Sequence, residues 1–284
     1  MTSFTAACIQ LRSGKTISDN ADAAESLIRA AAKDGAHYVQ TPEMSNVLVR
    51  SREELLERIS DADDDQFLKR SRALAADLGI YLHLGSLAVL AGNGKVANRA
   101  FLIAPDGNIL ATYDKIHMFD VDLPNGESWR ESATYEPGTQ TVIADLPFAK
   151  VGMAVCYDIR FPAIFRTQAR QGAQVLTGPA AFTRQTGQAH WHVLQRSRAI
   201  ENGAYVISAA QGGAHEDGRE TYGHSLVVDP WGAVIAELDN DAPGYVLAEI
   251  EPKKVADARA RIPAIANERD FVCHHADGLK EISA

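Results

Sequence analysis

Cysteine is scarce and scattered in this chain: 284 residues carry only Cys8, Cys156 and Cys273. Three distant thiols exclude a disulfide framework. An odd count, on an N-terminal segment without a basic region, apolar stretch and cleavage site, predicts a reducing, cytoplasmic setting. No apolar run reaches the ~18 residues that a membrane span needs. Basic blocks are missing too. The formal net charge is −9, and nucleic acid or an anionic membrane as main partner would call for a cationic patch. The longest run of one sign is "DADDD" at 61–65, which reads as a helix cap or a solvated face. Metal-site spacings are also absent. His190 and His192, and the adjacent His274 and His275 beside Cys273, form neither a histidine pair at i, i+4 with glutamate nor a C-x-x-C pair. No metal or cofactor is therefore expected, and "CHH" reads as a solvated tail.

What the chain does have is core-forming material, 46% hydrophobic against 23% charged residues, without a linker or shift in composition. Strand-length apolar runs alternate with helical patterns throughout. "FTAACIQL" reads as a first strand. "SDNADAAESLIRAAAKDGA" reads as an amphipathic helix with Ser18 or Asp19 as N-cap and Gly35 as stop signal. "HYVQTPE" reads as a second strand, and a helix over 64–78 leads into the strand "IYLHLGSLAVL". "NRAFLIAPDGNILATYDKIH" is a β-hairpin turning at Pro105-Asp106-Gly107, and "HSLVVDPWGAVIAEL" repeats the pattern around Asp229-Pro230-Trp231-Gly232. Between them come strand 149–156, helix 162–171, strand 174–178, helix 187–202 and strand 204–210. The mixture predicts one layered α/β domain over 1–284, with two mixed sheets packed face to face between helices. From about residue 262 a tail follows that could cover a neighbouring subunit.

"VGMAVCYDIRFP", 151–162, sets Cys156 at the end of a strand, before a turn and a helix that Pro162 can open. Such an elbow holds a side chain at a sheet edge near backbone N–H groups. By itself the segment reads better as a small buried hydrophobe, since most single cysteines are inert. Two other segments end strands in the same way: "VQTPEM" with Glu43, and "LATYDKIHMFDVD" with Asp114 and Lys115. Taken singly, these read as a surface carboxylate and a solvated ammonium. Together, an acid, an ammonium and a thiol at strand ends would meet on one rim of a sheet, where α/β proteins place their sites.

These three segments resemble the nitrilase (carbon–nitrogen hydrolase) superfamily, whose Glu-Lys-Cys triad lies at three such segments in this order. The matching positions are Glu43, Lys115 and Cys156, and "WRESATYEPG" supplies Glu131 for the family's auxiliary glutamate. The resemblance runs from the first strand to about residue 271. It implies a four-layer αββα sandwich, a homodimer or larger homo-oligomer, and cofactor-free hydrolysis of a small-molecule amide through a thioester on Cys156. It further implies that the Tyr157 backbone N–H and Lys115 hold the oxyanion. The segments 178–213 and 222–232 are most similar to the deaminated glutathione amidase branch, with omega-amidase close by. Both branches need a cation for a keto-acid carboxylate. Arg160 is the candidate, with a salt bridge to Asp158 or another acid as the competing reading. Phe182 and Thr183 are candidates for the acyl pocket, and His190-Trp191 reads as support for that loop. A nitrilase acting on a C≡N bond, and a non-catalytic binding protein of the same fold, are the alternatives.

Overall fold

The structure, a computed structural model, describes residues 2–92, 94–124 and 126–274. His275 and the rest of the tail lie outside them. The first third of the chain gives β1 (Phe4–Gln10), α1 (Ile17–Lys33), β2 (Tyr38–Gln40), α2 (Arg52–Leu56), α3 (Gln66–Leu78) and β3 (Tyr81–Leu90). Then come β4 (Val96–Ile103), β5 (Ile109–Asp114), β6 (Asp120–Asp122), β7 (Ser128–Arg130), β8 (Tyr135–Glu136), β9 (Val142–Asp145) and β10 (Lys150–Met153). They are followed by α4 (Pro162–Arg170), β11 (Val175–Thr177), α5 (Arg184–Asn202), β12 (Tyr205–Ser208), β13 (Gly212–Ala214) and β14 (Glu220–Tyr222). β15 (Leu226–Val228), β16 (Val234–Glu237), β17 (Gly244–Ile250) and α6 (Pro252–Arg261) complete the order.

Two mixed sheets form. One runs β17-β1-β2-β3-β4-β5, with β8 beside β4; the other runs β16-β15-β12-β11-β10-β9. Each has three adjacent parallel strands, β1-β2-β3 and β10-β11-β12, extended by antiparallel pairs. The parallel triplets are buried on both faces, which is why they read as unbroken apolar runs. Alternation along β1 shows the layering. Phe4, Ala6 and Cys8 join Val151, Met153, Val206 and Val227 between the sheets. Ala7 and Ile9 face the other way, toward Ala24, Ile28 and Ala31 of α1 and Phe67 and Leu74 of α3. On the outer side of the second sheet, Phe165 of α4 and Trp191 and Ala199 of α5 extend the same core. The result is the expected αββα sandwich.

Local boundaries differ where side-chain chemistry permits two choices. α1 is capped at Thr16, not at Ser18 or Asp19. Ile17 packs against the core beside α1, so the helix begins early and Asp19 sits in its first turn, favourable to the helix dipole. β2 stops at Gln40 because Pro42 follows and cannot donate to a ladder. β10 stops at Met153, and Cys156–Arg160 form a short 3₁₀ helix instead of extending the strand. Asp65 of the acidic run caps α3 by accepting from Leu68 N–H at 2.8 Å.

Gly85 in β3 lies where the pairing with β4 slips, between Leu84 and Leu87. A Cβ at Gly85 would strike the Thr41 carbonyl and the Pro179 ring. The first sheet thus approaches the β11–α5 loop without an intervening side chain. Gly85→Ala is expected to destabilise the protein by about 3 kcal/mol or more, because backbone must move to admit the methyl. Urea unfolding measures the loss, and a change under ~0.5 kcal/mol would contradict this account.

Candidate active site

The acid, ammonium and thiol do meet, but on a rim shared by two sheets rather than on one. Glu43 and Lys115 follow β2 and β5 of the first sheet, and Cys156 follows β10 of the second. The chain after β2 is pinned to β3: Thr41 N–H donates to the His83 carbonyl, and Ser45 N–H to the Ser86 carbonyl, each at 2.9 Å. Met44 takes a φ of 55° at the resulting bend. Lys115 N–H donates to the Asn98 carbonyl of β4. Cys156 has a φ of 50°, in the left-handed region where a side chain costs about 1–2 kcal/mol. Its N–H donates to the Pro179 carbonyl at 2.8 Å.

The charged groups interlock. Lys115 Nζ lies 2.9 Å from Glu43 Oε1, and 2.9 and 2.8 Å from Glu131 Oε1 and Oε2. Asn98 Nδ2 donates to both carboxylates, at 2.9 and 3.2 Å. Ala181 N–H donates to Glu43 Oε2, and Phe119 N–H to Glu131 Oε2. Lys115 and Glu43 are almost wholly buried. Burial opposes the charge on Glu43, but the Lys115 ammonium and bonds from Cys156, Lys115 and Asn98 outweigh it and hold its pKa below the usual glutamate value. Burial likewise opposes the Lys115 charge, and Glu131 and Glu43 reverse that effect, raising its pKa well above normal. Burial first, then the Glu43 charge, push the Cys156 thiol well up. The resting site is therefore a neutral thiol beside an ionised carboxylate.

A further brace of the site, marked by no motif, is Asp158. Fully buried, it accepts from Val155 N–H at 2.9 Å, His117 N–H at 3.1 Å, His117 Nδ1 at 2.7 Å and Tyr113 O–H at 2.7 Å. It ties the segment bearing Lys115 to the turn bearing Cys156. The His117 ring stacks on Phe161, with centroids 3.6 Å apart. Because this carboxylate is filled, Arg160 forms no salt bridge with it. Arg160 instead reaches His190 Nδ1 at 3.3 Å and lies over the Phe182 ring.

Glu43, Lys115, Glu131 and Cys156 open into a cavity of about 300 Å³ whose walls include Phe182 and Thr183. Thr183 also caps α5. Trp191 meets Phe182 edge-on and donates its indole N–H to the His224 carbonyl. Tyr157 and Arg160 are not among the lining residues, whereas Arg50, Trp129, Arg130 and Arg219 are. These four come from three separated segments without a common motif. Among the described residues, no group of three or more His, Cys, Asp or Glu side chains is placed to hold a metal ion. No helix among them is long and apolar enough to cross a membrane.

Two stacked mixed sheets, with a thiol, carboxylates and an ammonium at their shared rim, define a hydrolase of the carbon–nitrogen bond class. The chain belongs to the carbon–nitrogen hydrolase family, whose sequence model matches residues 5–260. It is 39% identical over 274 residues to the deaminated glutathione amidase of Synechocystis sp., covering 96% of this chain and 100% of that one. Against the omega-amidase NIT2 of Homo sapiens it is 38% identical over 271 residues, covering 95% and 96%. The crystal structure of the C. elegans NitFhit protein superposes with a TM-score of 0.87 at 35% identity over 94% of this chain. This chain spans 65% of that longer protein. The enzyme accordingly acts on carbon–nitrogen bonds other than peptide bonds, as an amidase.

Proposed function

We propose that the chain hydrolyses an α-keto-acid amide, deaminated glutathione, through a thioester on Cys156. The observation that carries this reading is the buried Glu43–Lys115–Cys156 arrangement, in a chain similar over its length to an amidase named for that substrate. Glu43 accepts the thiol proton as Sγ attacks the amide carbon. The oxyanion forms between the Lys115 ammonium and the Tyr157 N–H, which sits in a first helical turn without an intrahelical acceptor. Glu43 then protonates the departing amine as the C–N bond breaks. Water, deprotonated by Glu43 and oriented with the help of Glu131, displaces the sulfur, and the thiol recovers its proton. Phe182 and Thr183 wall the acyl group. Arg160 rests on the Phe182 ring outside the cavity wall and takes the keto-acid carboxylate by turning in past that ring.

The second reading, favoured by the human relative, is omega-amidase action on α-ketoglutaramate. Incubation with deaminated glutathione, α-ketoglutaramate and a simple nitrile, scoring cysteinylglycine and ammonia, separates the readings. Faster turnover of the first compound is expected, and exclusive turnover of the nitrile would overturn the proposal.

Proton traffic fixes the pH profile. Since Glu43 is held below its ordinary pKa and Cys156 above, kcat/KM is expected to stay level from ~pH 6 to ~9. It should fall on the acid side only below the ~4.3 of free glutamate, as Glu43 takes up a proton. A rise tracking a thiolate pKa near ~8.5 would instead point to a preformed thiolate.

Val193 and Ile200 on the outer face of α5 are exposed, as is Trp231 in the neighbouring β15–β16 turn. Ile200 lies against Gly232 of that turn, and Arg196 Nε donates to the Gly232 carbonyl, so helix and turn pack together. This supports a homodimer through that face; a monomer in sedimentation at micromolar concentration would refute it. Cys8, Cys156 and Cys273 are all free, which supports a reducing, cytoplasmic location.

A further inference from the structure

The cavity carries cations that the chemistry at Cys156 does not use. Besides Lys115 it is lined by Arg50, Arg130 and Arg219. Arg130 forks onto Asp122, with both Nη2 contacts at 2.9 Å. Arg219 is held by Asp217 at 2.7 Å. Glu220, the remaining acidic wall residue beside the catalytic carboxylates, is paired with Arg184 at 3.0 Å. Arg50 alone among these cations has no carboxylate within ion-pair distance among the described residues.

Arg50 is nevertheless placed. Its guanidinium lies 4.5 Å from the Trp129 ring centroid, and that of Arg219 lies 5.0 Å from the same centroid. The two guanidinium groups share one indole; the charge on Arg219 is met by Asp217, while that on the exposed Arg50 is left to an incoming anion. The Trp129 indole N–H is buried and has no acceptor, leaving a further donor beside the pair. In a chain of net charge −9, an unpaired arginine on the wall of an active-site cavity is a feature that anion binding explains. A planar guanidinium suits a carboxylate.

We propose that Arg50, Arg219 and Trp129 form a carboxylate subsite for the leaving-group half of the substrate, on the wall of the same cavity as Cys156 and Phe182. This deepens, and rests on, the amidase reading above. A substrate that leaves as bare ammonia has nothing to place there. A substrate whose amine continues into a dipeptide ending in a free carboxylate fills it. The subsite would thereby select an amide with two separated carboxylates over a short one with a single keto-acid group.

The test uses two α-ketoglutaryl dipeptides differing only at the C-terminus, one a free acid and the other a carboxamide. The full-length enzyme is expected to favour the free acid by at least ~10-fold in kcat/KM, mainly through KM. In Arg50→Ala that ratio should collapse toward unity, with partial recovery in Arg50→Lys. An unchanged ratio in Arg50→Ala, or no preference in the unaltered enzyme, would overturn the subsite. Calorimetric binding of both compounds to Cys156→Ala, with and without Arg50→Ala, gives the same ratio without turnover. If neither compound is hydrolysed, the substrate reading fails, and this binding ratio still decides the subsite.

Discussion

Lys115→Met is expected to lose at least ~10³-fold in kcat/KM and about 3–5 kcal/mol in stability, both from one cause. Among the described residues the ammonium is the only cation in contact with Glu43 and Glu131, and the side chains of all three are largely buried. Without it, two carboxylates share an enclosed site, and one of them must take up a proton near neutrality. Glu43 then ceases to be a free base, and the oxyanion loses a donor worth about 3–4 kcal/mol. The signs separate the variant from the parent protein. In the parent, Glu43 has a depressed pKa, so its contribution to stability is present above its unfolded value and lost as pH falls through the folded one. In Lys115→Met the surviving pair has a raised pKa, so the deficit is largest at neutral pH and shrinks toward acid. Urea unfolding at two pH values, with turnover measured alongside, tests this. An equal deficit at both would show that the two carboxylates do not repel as described.

Cys156→Ala is expected to abolish turnover, by at least ~10⁴-fold, while unfolding near the parent midpoint. Intact-mass analysis after brief exposure to substrate should find an acyl adduct in the parent and none in the variant. Equal turnover would remove Cys156 from the mechanism. Cys156→Gly adds a second reading of the same position. Glycine accepts a φ of 50° without a Cβ penalty, so this variant should be more stable than Cys156→Ala by up to ~1 kcal/mol. The thiol is thus held in an orientation that the backbone alone would not choose.

The alternation of apolar runs and helical patterns carried most of the architecture because each parallel strand is buried on both faces and each helix on one. Boundaries were less legible where two residues offer equivalent chemistry. Ser18 and Asp19 look like caps, yet burial of Ile17 starts α1 earlier. Glu43, Lys115 and Cys156 each follow a strand in a short motif, but only the family resemblance joined them, and it alone pointed to Glu131. Asp158 could not be picked out, although it lies two residues from Cys156. Its role depends on Tyr113 and His117, which reach it across the sandwich. Arg50, Trp129 and Arg219 were invisible for the same reason: adjacency on a cavity wall leaves no trace in spacing along a chain.

The seam between the sheets is stitched by more than the contacts among Glu43, Lys115 and Cys156. Gln211 Nε2 donates to the Glu43 carbonyl at 3.0 Å, Ala209 N–H to Gln40 Oε1 at 2.9 Å, and Ala181 N–H to Glu43 Oε2 at 2.9 Å. Every one of these joins an early segment to a late one. Neither half of the chain therefore holds the whole set, and the proposed site is complete only when Cys156 and its following loop dock onto the earlier strands. Turnover is a gauge of that docking.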